Sequence, residues 1–319
     1  MAGQRAVALA AAPGDVSLQI EANQLLGQVY HALGDYPRAV ACFGRAVASI
    51  PSERRYERFA LSGLLVVQGR VWLVWSLAEQ GRFAEGRTFI DEAVRLAEQV
   101  EHTITLLHAY FGVGVLSLRQ GDLGHPRPRT RPGIVSKPAG AGLLCSVCLR
   151  LRSGVGSVRS DHRGPTATGA SGRAEYSRGY RLGYAPCLTH LGEAHLLAGR
   201  IEEARRYAER GLEYSQAHQE RGYEVWALRL LGDIAVHQGS SDAVQAEAAY
   251  RQALALAEEL GLRPLQAHCH RGLGTLYART AQREQAHAAL STARELYGAT
   301  DMRCWLPQAE AMLVQVQVS

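Results

Sequence analysis

Apolar residues along this chain recur at helical spacing, and the same short phrase of small and large side chains returns several times. Leu26-Gly27, Tyr30, Gly34-Asp35-Tyr36, Ala39, Phe43, Ala46 and Pro51 form one unit. Leu191-Gly192, Gly199, Ala204, Ala208 and Gly211 form a second. A third has Leu231-Gly232, Gly239, Ala246, Tyr250 and Ala253, with extra residues in its turn. The fourth runs through Leu273-Gly274, Tyr277, Ala286, Leu290 and Ala293, with Ala281 where the turn glycine sits in the others. A looser unit has Leu73, Leu77, Gly81, Phe83, Ile90 and Ala93, and Val113-Gly114 with Gly121-Asp122 opens one more. Each unit predicts two helices joined by a tight turn. The Leu-Gly pair sets a core side chain beside a residue with none, so the next helix can come close. The later glycine ends the first helix in a left-handed cap that glycine adopts at little cost. Alanines and one bulky residue then make a single apolar stripe on the second helix.

A period of roughly 34 residues built this way resembles the tetratricopeptide repeat family. The resemblance implies an all-α, right-handed superhelical solenoid of antiparallel helix hairpins, about six or seven of them. Three regions are expected: an N-terminal block over 1–123 that starts in mid-repeat, an irregular basic segment over 124–181, and a C-terminal block with a terminal helix over 182–319. Gln4 to Ala11 reads as a second helix without its first, which suggests a piece of a longer array.

The helical period fails from Gly124 to Arg181, where GHPRPRTRPGIVSKPAGAG is dense in proline and glycine. A disordered basic linker is one reading. The other is a pair of compensating frameshifts, because the degenerate codons of GHPRPRTRPG and RGPTATGASGRAE, moved by one base, permit amphipathic second helices. With that stretch scrambled, the two blocks are expected to lose contact and melt separately.

Charge changes the picture only locally. The chain has 319 residues and a formal charge of +5. Eleven of its 35 basic residues but only three of its 30 acidic ones lie between Asp122 and Arg181, so the remainder carries 24 basic and 27 acidic residues. A basic partner-binding fold is therefore not implied, and nucleic acid is an unlikely ligand. The Arg127, Arg129 and Arg131 cluster could meet phosphates by charge, but it has no interleaved aromatics. No apolar run is long enough to span a membrane, and no secretory leader is evident, so a cytoplasmic protein is expected.

Six scattered cysteines form no disulfide framework. Cys145-x-x-Cys148 is a lone pair without a second, His268-Cys269-His270 places neighbours on different sides of a helix, and Cys42 and Cys269 fit core positions. No phosphate loop, zinc-protease helix or nucleophile elbow appears. No catalytic residue, metal site or cofactor is therefore assigned.

If the array binds a peptide, its first helices line the groove. The exposed candidates there are Gln28, His31, Trp75, Glu193, Arg229, Asp233, Arg271 and Arg279. The Lys/Asn pattern with which some tetratricopeptide domains clamp a C-terminal carboxylate is missing. The stretches VYHALGDYPRAVACFGRAV, ERFALSGLLVVQGRVWLVWSLAEQGRFAEG, GVGVLSLRQGDL, THLGEAHLLAGRIEEA and TDMRCWLPQAEAML further resemble the repeat region of bacterial multidomain signalling proteins. In those, a class III adenylate/guanylate cyclase and an AAA-type ATPase precede the array. The resemblance implies either a protein- or peptide-binding scaffold or the regulatory arm of such an upstream cyclase or ATPase domain. None of the catalytic motifs of those domains is present to carry over.

Overall fold

The structure is a computed structural model, described here for residues 16–51, 56, 64–100, 102–122, 183–239 and 242–318. Gln4–Ala11, the CxxC pair, the Arg127–Arg131 cluster and the whole of 124–181 lie outside these residues. The described residues form twelve α-helices. On the N-terminal side are α1 (Val16–Ala32), α2 (Tyr36–Ala48), α3 (Leu65–Glu79), α4 (Phe83–Val100) and α5 (Thr103–Gln120). On the C-terminal side are α6 (Tyr184–Leu197), α7 (Ile201–Ala217), α8 (Arg221–Gln238), α9 (Ala243–Glu259), α10 (Arg263–Arg279), α11 (Arg283–Ala299) and α12 (Leu306–Val318). Helices α1/α2, α3/α4, α6/α7, α8/α9 and α10/α11 make five complete hairpins; α1/α2 packs on α3/α4 and then α5, and α6/α7 packs on α8/α9 and then α10/α11. This is the all-α, tetratricopeptide-type solenoid that the repeats predict.

The reason the hairpins close is visible in single atoms. A Cβ on Gly27 would sit 2.7 Å from the Phe43 ring, and one on Gly232 would sit 2.7 Å from Tyr250. Only the missing side chain lets the bulky residue of the second helix reach the backbone of the first. Ala39, Ala46, Ala204, Ala208, Ala246, Ala253, Ala286 and Ala293 are all fully buried on the facing stripe. Gly34, Gly81, Gly121 and Gly199 end their first helices at φ between 72° and 82°. Ala281 takes the same left-handed turn at φ 60° despite its Cβ. At the start of α2 the Asp35 carboxylate accepts from the Arg38 N–H at 3.2 Å, and Pro37 fills a first-turn position that needs no donor.

The two blocks are not apart, and the expected loss of contact between them is corrected. The turns that end α1, α3 and α5 meet the segments that begin α8, α10 and α12, in the same order. Gly34 abuts Leu260 and the Gly222 backbone, Gly81 abuts Pro264 and Thr300, and Gly121 abuts Cys304 and Trp305. Tyr36, Trp75 and Val115 of one block share a core cluster with Tyr223, Val225, Trp226 and Leu262 of the other. Contact between the two blocks runs along this seam.

Candidate functional site

The inner surface of the array belongs to the first helices of the hairpins, and the seam divides it into a closed and an open part. The closed part is centred on His31 of α1, which is fully buried. Its Nδ1 lies 2.8 Å from Ser76 Oγ and its Nε2 lies 3.0 Å from Tyr223 Oη across the seam. Ser76 Oγ is also 3.0 Å from the Trp72 carbonyl oxygen, to which its one hydrogen is donated. His31 is then a neutral imidazole that donates from Nδ1 to Ser76 and accepts the Tyr223 hydroxyl at Nε2. Burial holds its pKa down at about 4.

Beneath it is a buried ion pair. Arg119 Nε donates to Glu79 Oε1 at 2.9 Å, and both side chains are almost fully enclosed. Trp75 Nε1 donates to the same oxygen at 3.2 Å, and Trp226 Nε1 donates to Oε2 at 3.0 Å from the other block. The Arg119 guanidinium also lies 3.7 Å from the centre of the Trp226 ring. Both charges are met by hydrogen bonds on the spot, which is the condition under which burial of an ion pair is tolerated.

Arg229 also lies near Trp226, 5.2 Å from the ring centre, where the open part begins. Arg229 bridges Glu193 of α6 and Asp233 on its own helix. Asp233 also accepts from the Tyr250 hydroxyl at 2.6 Å. Burial raises the Glu193 carboxyl, but Arg229, with His190, pulls it down to about 2. Further along, Arg271 of α10 lies 4.8 Å from the Trp305 ring centre and 3.4 Å from Gln308 Oε1. Arg279, one face-repeat on, donates to the Val236 carbonyl.

The eight residues expected on an exposed groove therefore divide. Gln28, His31 and Trp75 are buried, because α8 and the seam cover the face they line, and Arg229 is buried between its two carboxylates. Their expected exposure is corrected. Glu193, Asp233 and Arg271 are half-buried and Arg279 is exposed. A helical wheel assigns a residue to a face but contains nothing about what lies on that face. The functional candidates it passed over are Trp226, Glu79 and Arg119, whose partners come from distant repeats. Among the motifs set aside, Cys42 and Cys269 are core residues, and burial pushes the Cys269 thiol up to about 12. Among the described residues no group of His, Cys, Asp and Glu is placed to hold a metal ion. No described helix is long and apolar enough to cross a membrane.

Two segments match the tetratricopeptide repeat family, residues 20–53 and 185–218. A 140-residue stretch is 26% identical to the 43 kDa receptor-associated protein of the synapse from Tetronarce californica, covering 44% of this chain and 34% of that protein. Among solved structures, the Rap conjugation gene regulator of plasmid pLS20, in complex with the Phr* peptide, superposes over 94% of this chain and 68% of its own, at 16% identity and TM-score 0.46. The apo form of RapI covers 94% and 71% at 12% identity and TM-score 0.41. The TPR2AB domain of yeast Sti1, in its pHSP90 complex, covers 93% and 98% at 10% identity and TM-score 0.31.

Proposed function

We propose that this chain is a non-catalytic interaction scaffold that takes a protein or peptide segment along the open first-helix face of α6, α8, α10 and α12. What supports the reading is a row of fixed polar groups on successive helices, running from Glu193 through Arg229 and Asp233 to Arg271 and Arg279. Each is held by a neighbour before any ligand arrives: Arg229 by two carboxylates, Arg271 by Trp305 and Gln308, and Arg279 by a backbone carbonyl. Side chains already immobilised cost less to order on binding, so a preformed face binds with a smaller entropic loss. The regulatory reading, an arm that gates an attached cyclase or ATPase, uses the same face and rests on the sequence resemblance.

The test is an unbiased peptide-display selection on the whole purified chain. Enriched peptides should lose at least about tenfold in affinity when Arg271→Ala or Asp233→Ala is introduced. They should be indifferent to Arg95→Ala, which lies on the second helix α4. A selection that enriches nothing, or peptides equally sensitive to the α4 change, overturns the scaffold reading.

A further inference from the structure

Helix α1 is built inside out: its polar side chains face the protein and its large apolar ones face away. Asn23 accepts from Arg45 Nε of α2 at 3.0 Å, and Gln24 donates to the Leu65 carbonyl oxygen of α3 at 3.3 Å. His31 meets Ser76 of α3 and Tyr223 of α8. Asn23, Gln24, Gln28 and His31 are all buried. Gly27, on the same side, lies against the Phe43 ring. The helices that pack on α1 are α2, α3 and α8, and these contacts put all three on its polar side.

The opposite side carries Leu18, Ala22, Leu25 and Val29. At 3.6 residues per turn these four fall within about 60° of one another, roughly opposite Gly27 and His31. Leu18, Leu25 and Val29 are 52%, 58% and 52% exposed, and Leu33 prolongs the row at 37%. Single exposed leucines are ordinary on a folded protein. A continuous row, on a helix whose amides and imidazole are turned inward, marks a contact surface.

The row itself indicates what covers it. Its steps of four, three and four residues follow the 3.5-residue repeat by which two helices interlock side by side. Glu21, at the margin of the row, is the one acidic or basic residue of α1 besides the neutral His31. No charge along the row therefore attracts a partner of opposite sign or repels a second copy. Turned end for end, the row matches itself. Leu18 falls opposite Val29 and Ala22 opposite Leu25, so the alanine of each copy receives a leucine of the other, as glycines and alanines receive bulky side chains inside the hairpins. A two-fold axis makes each of these pairings occur twice, which gives four layers.

We propose that two copies of this chain associate through α1, with the two helices antiparallel about a two-fold axis at the level of residues 23 and 24. The contact is a strip about 17 Å long and one helix wide, well below the roughly 800 Å² per partner of a standard interface. The association is therefore reversible and falls in the micromolar range. It makes no use of the open face of α6, α8, α10 and α12, and it stands whatever that face binds.

The test is sedimentation of the full chain between about 1 and 200 μM, where a monomer is expected to give way to a dimer. Leu18→Glu and Val29→Lys, each at an exposed position, should weaken the dimer at least about tenfold while leaving the circular dichroism spectrum unchanged. Leu197→Glu, at a 90% exposed position on α6, should leave the dimer as it is. Leu18→Glu mixed with Val29→Lys should associate more tightly than either does with the native chain, because the new carboxylate of one copy then faces the new amine of the other. Neither misfolding nor a parallel pairing produces that rescue. A chain that stays monomeric throughout, which would leave the row to a different protein or to another segment of this chain, overturns the proposal. So does a dimer indifferent to Leu18→Glu, or a mixture that shows no rescue.

Discussion

His31 has almost no contact with water, and that fixes how acid acts on the protein. Tyr36, Trp72 and Trp75 enclose its ring edge-on at 5.1 to 5.3 Å, and both ring nitrogens are used. Its folded pKa of about 4 lies below the ordinary 6.5. Between those values the unfolded chain binds a proton that the folded chain refuses, so stability falls as pH drops from 6.5 towards 4. The loss from this one group is on the order of 3 kcal/mol. Glu220 acts in the opposite sense: burial raises its pKa to about 7, so its share of stability rises as pH falls from 7 to 4.5. Urea midpoints of the native chain and His31→Gln, compared from pH 7 to 4, separate the two. The variant should be less stable at pH 7 but show a shallower decline, and parallel curves would contradict the argument. The ion pair below makes a second prediction. Arg119→Met strands the Glu79 carboxylate in the core and should cost about 3 to 5 kcal/mol. Adding Glu79→Gln should recover much of that in the same denaturation measurement.

At the scale of the helix, the small-against-large rule separates glycines that the sequence alone presents as alike. Gly232 is closed off by Tyr250, whereas Gly44 has nothing within 4 Å of where its Cβ would be. Gly232→Ala should destabilise by about 1 to 3 kcal/mol through overpacking. Gly44→Ala, on the exposed side of α2, should stabilise by about 0.5 to 1 kcal/mol because alanine loses less backbone entropy in a helix. Thermal or urea unfolding followed by circular dichroism reads both. The hairpins were legible in the sequence for the same reason that these substitutions differ. Leu-Gly and the buried alanines sit at fixed intervals because they pack within their own hairpin or on the next, and the turn glycine recurs because each hairpin needs the same left-handed turn. Local contacts leave a period, and a period can be counted. Ala281 shows the limit of that legibility, since its neighbours hold it in the left-handed turn without the glycine that would have announced it.

For the molecule as a whole, the seam decides behaviour, and it left no period to find. His31 pairs with a tyrosine 192 positions away and Glu79 with a tryptophan 147 away. Neither spacing repeats, so Gln28, His31 and Trp75 were placed on the correct helix face and given the wrong environment. The open face was more readable: Glu193, Asp233, Arg271 and Arg279 keep at least part of their surface because nothing in the other block reaches that far along α8 and α10. Trp226 is where the two parts meet, donating to Glu79 and lying close to both Arg119 and Arg229. Trp226→Ala should cost about 3 to 5 kcal/mol and uncouple the blocks. The native chain should unfold in one transition, and the variant in two, by calorimetry or hydrogen exchange. Two transitions already in the native chain would mean that the seam does not bind the blocks into one unit.

Gly34, Gly81 and Gly121 meet their opposite numbers in sequence order, like teeth of two combs. Most repeat proteins can lengthen or shorten by a whole unit, because each unit answers only to the ones beside it. Here a duplicated or deleted hairpin in one block would leave every later tooth facing the wrong gap. The doubled-back layout thus trades the freedom to vary repeat number for a fixed length.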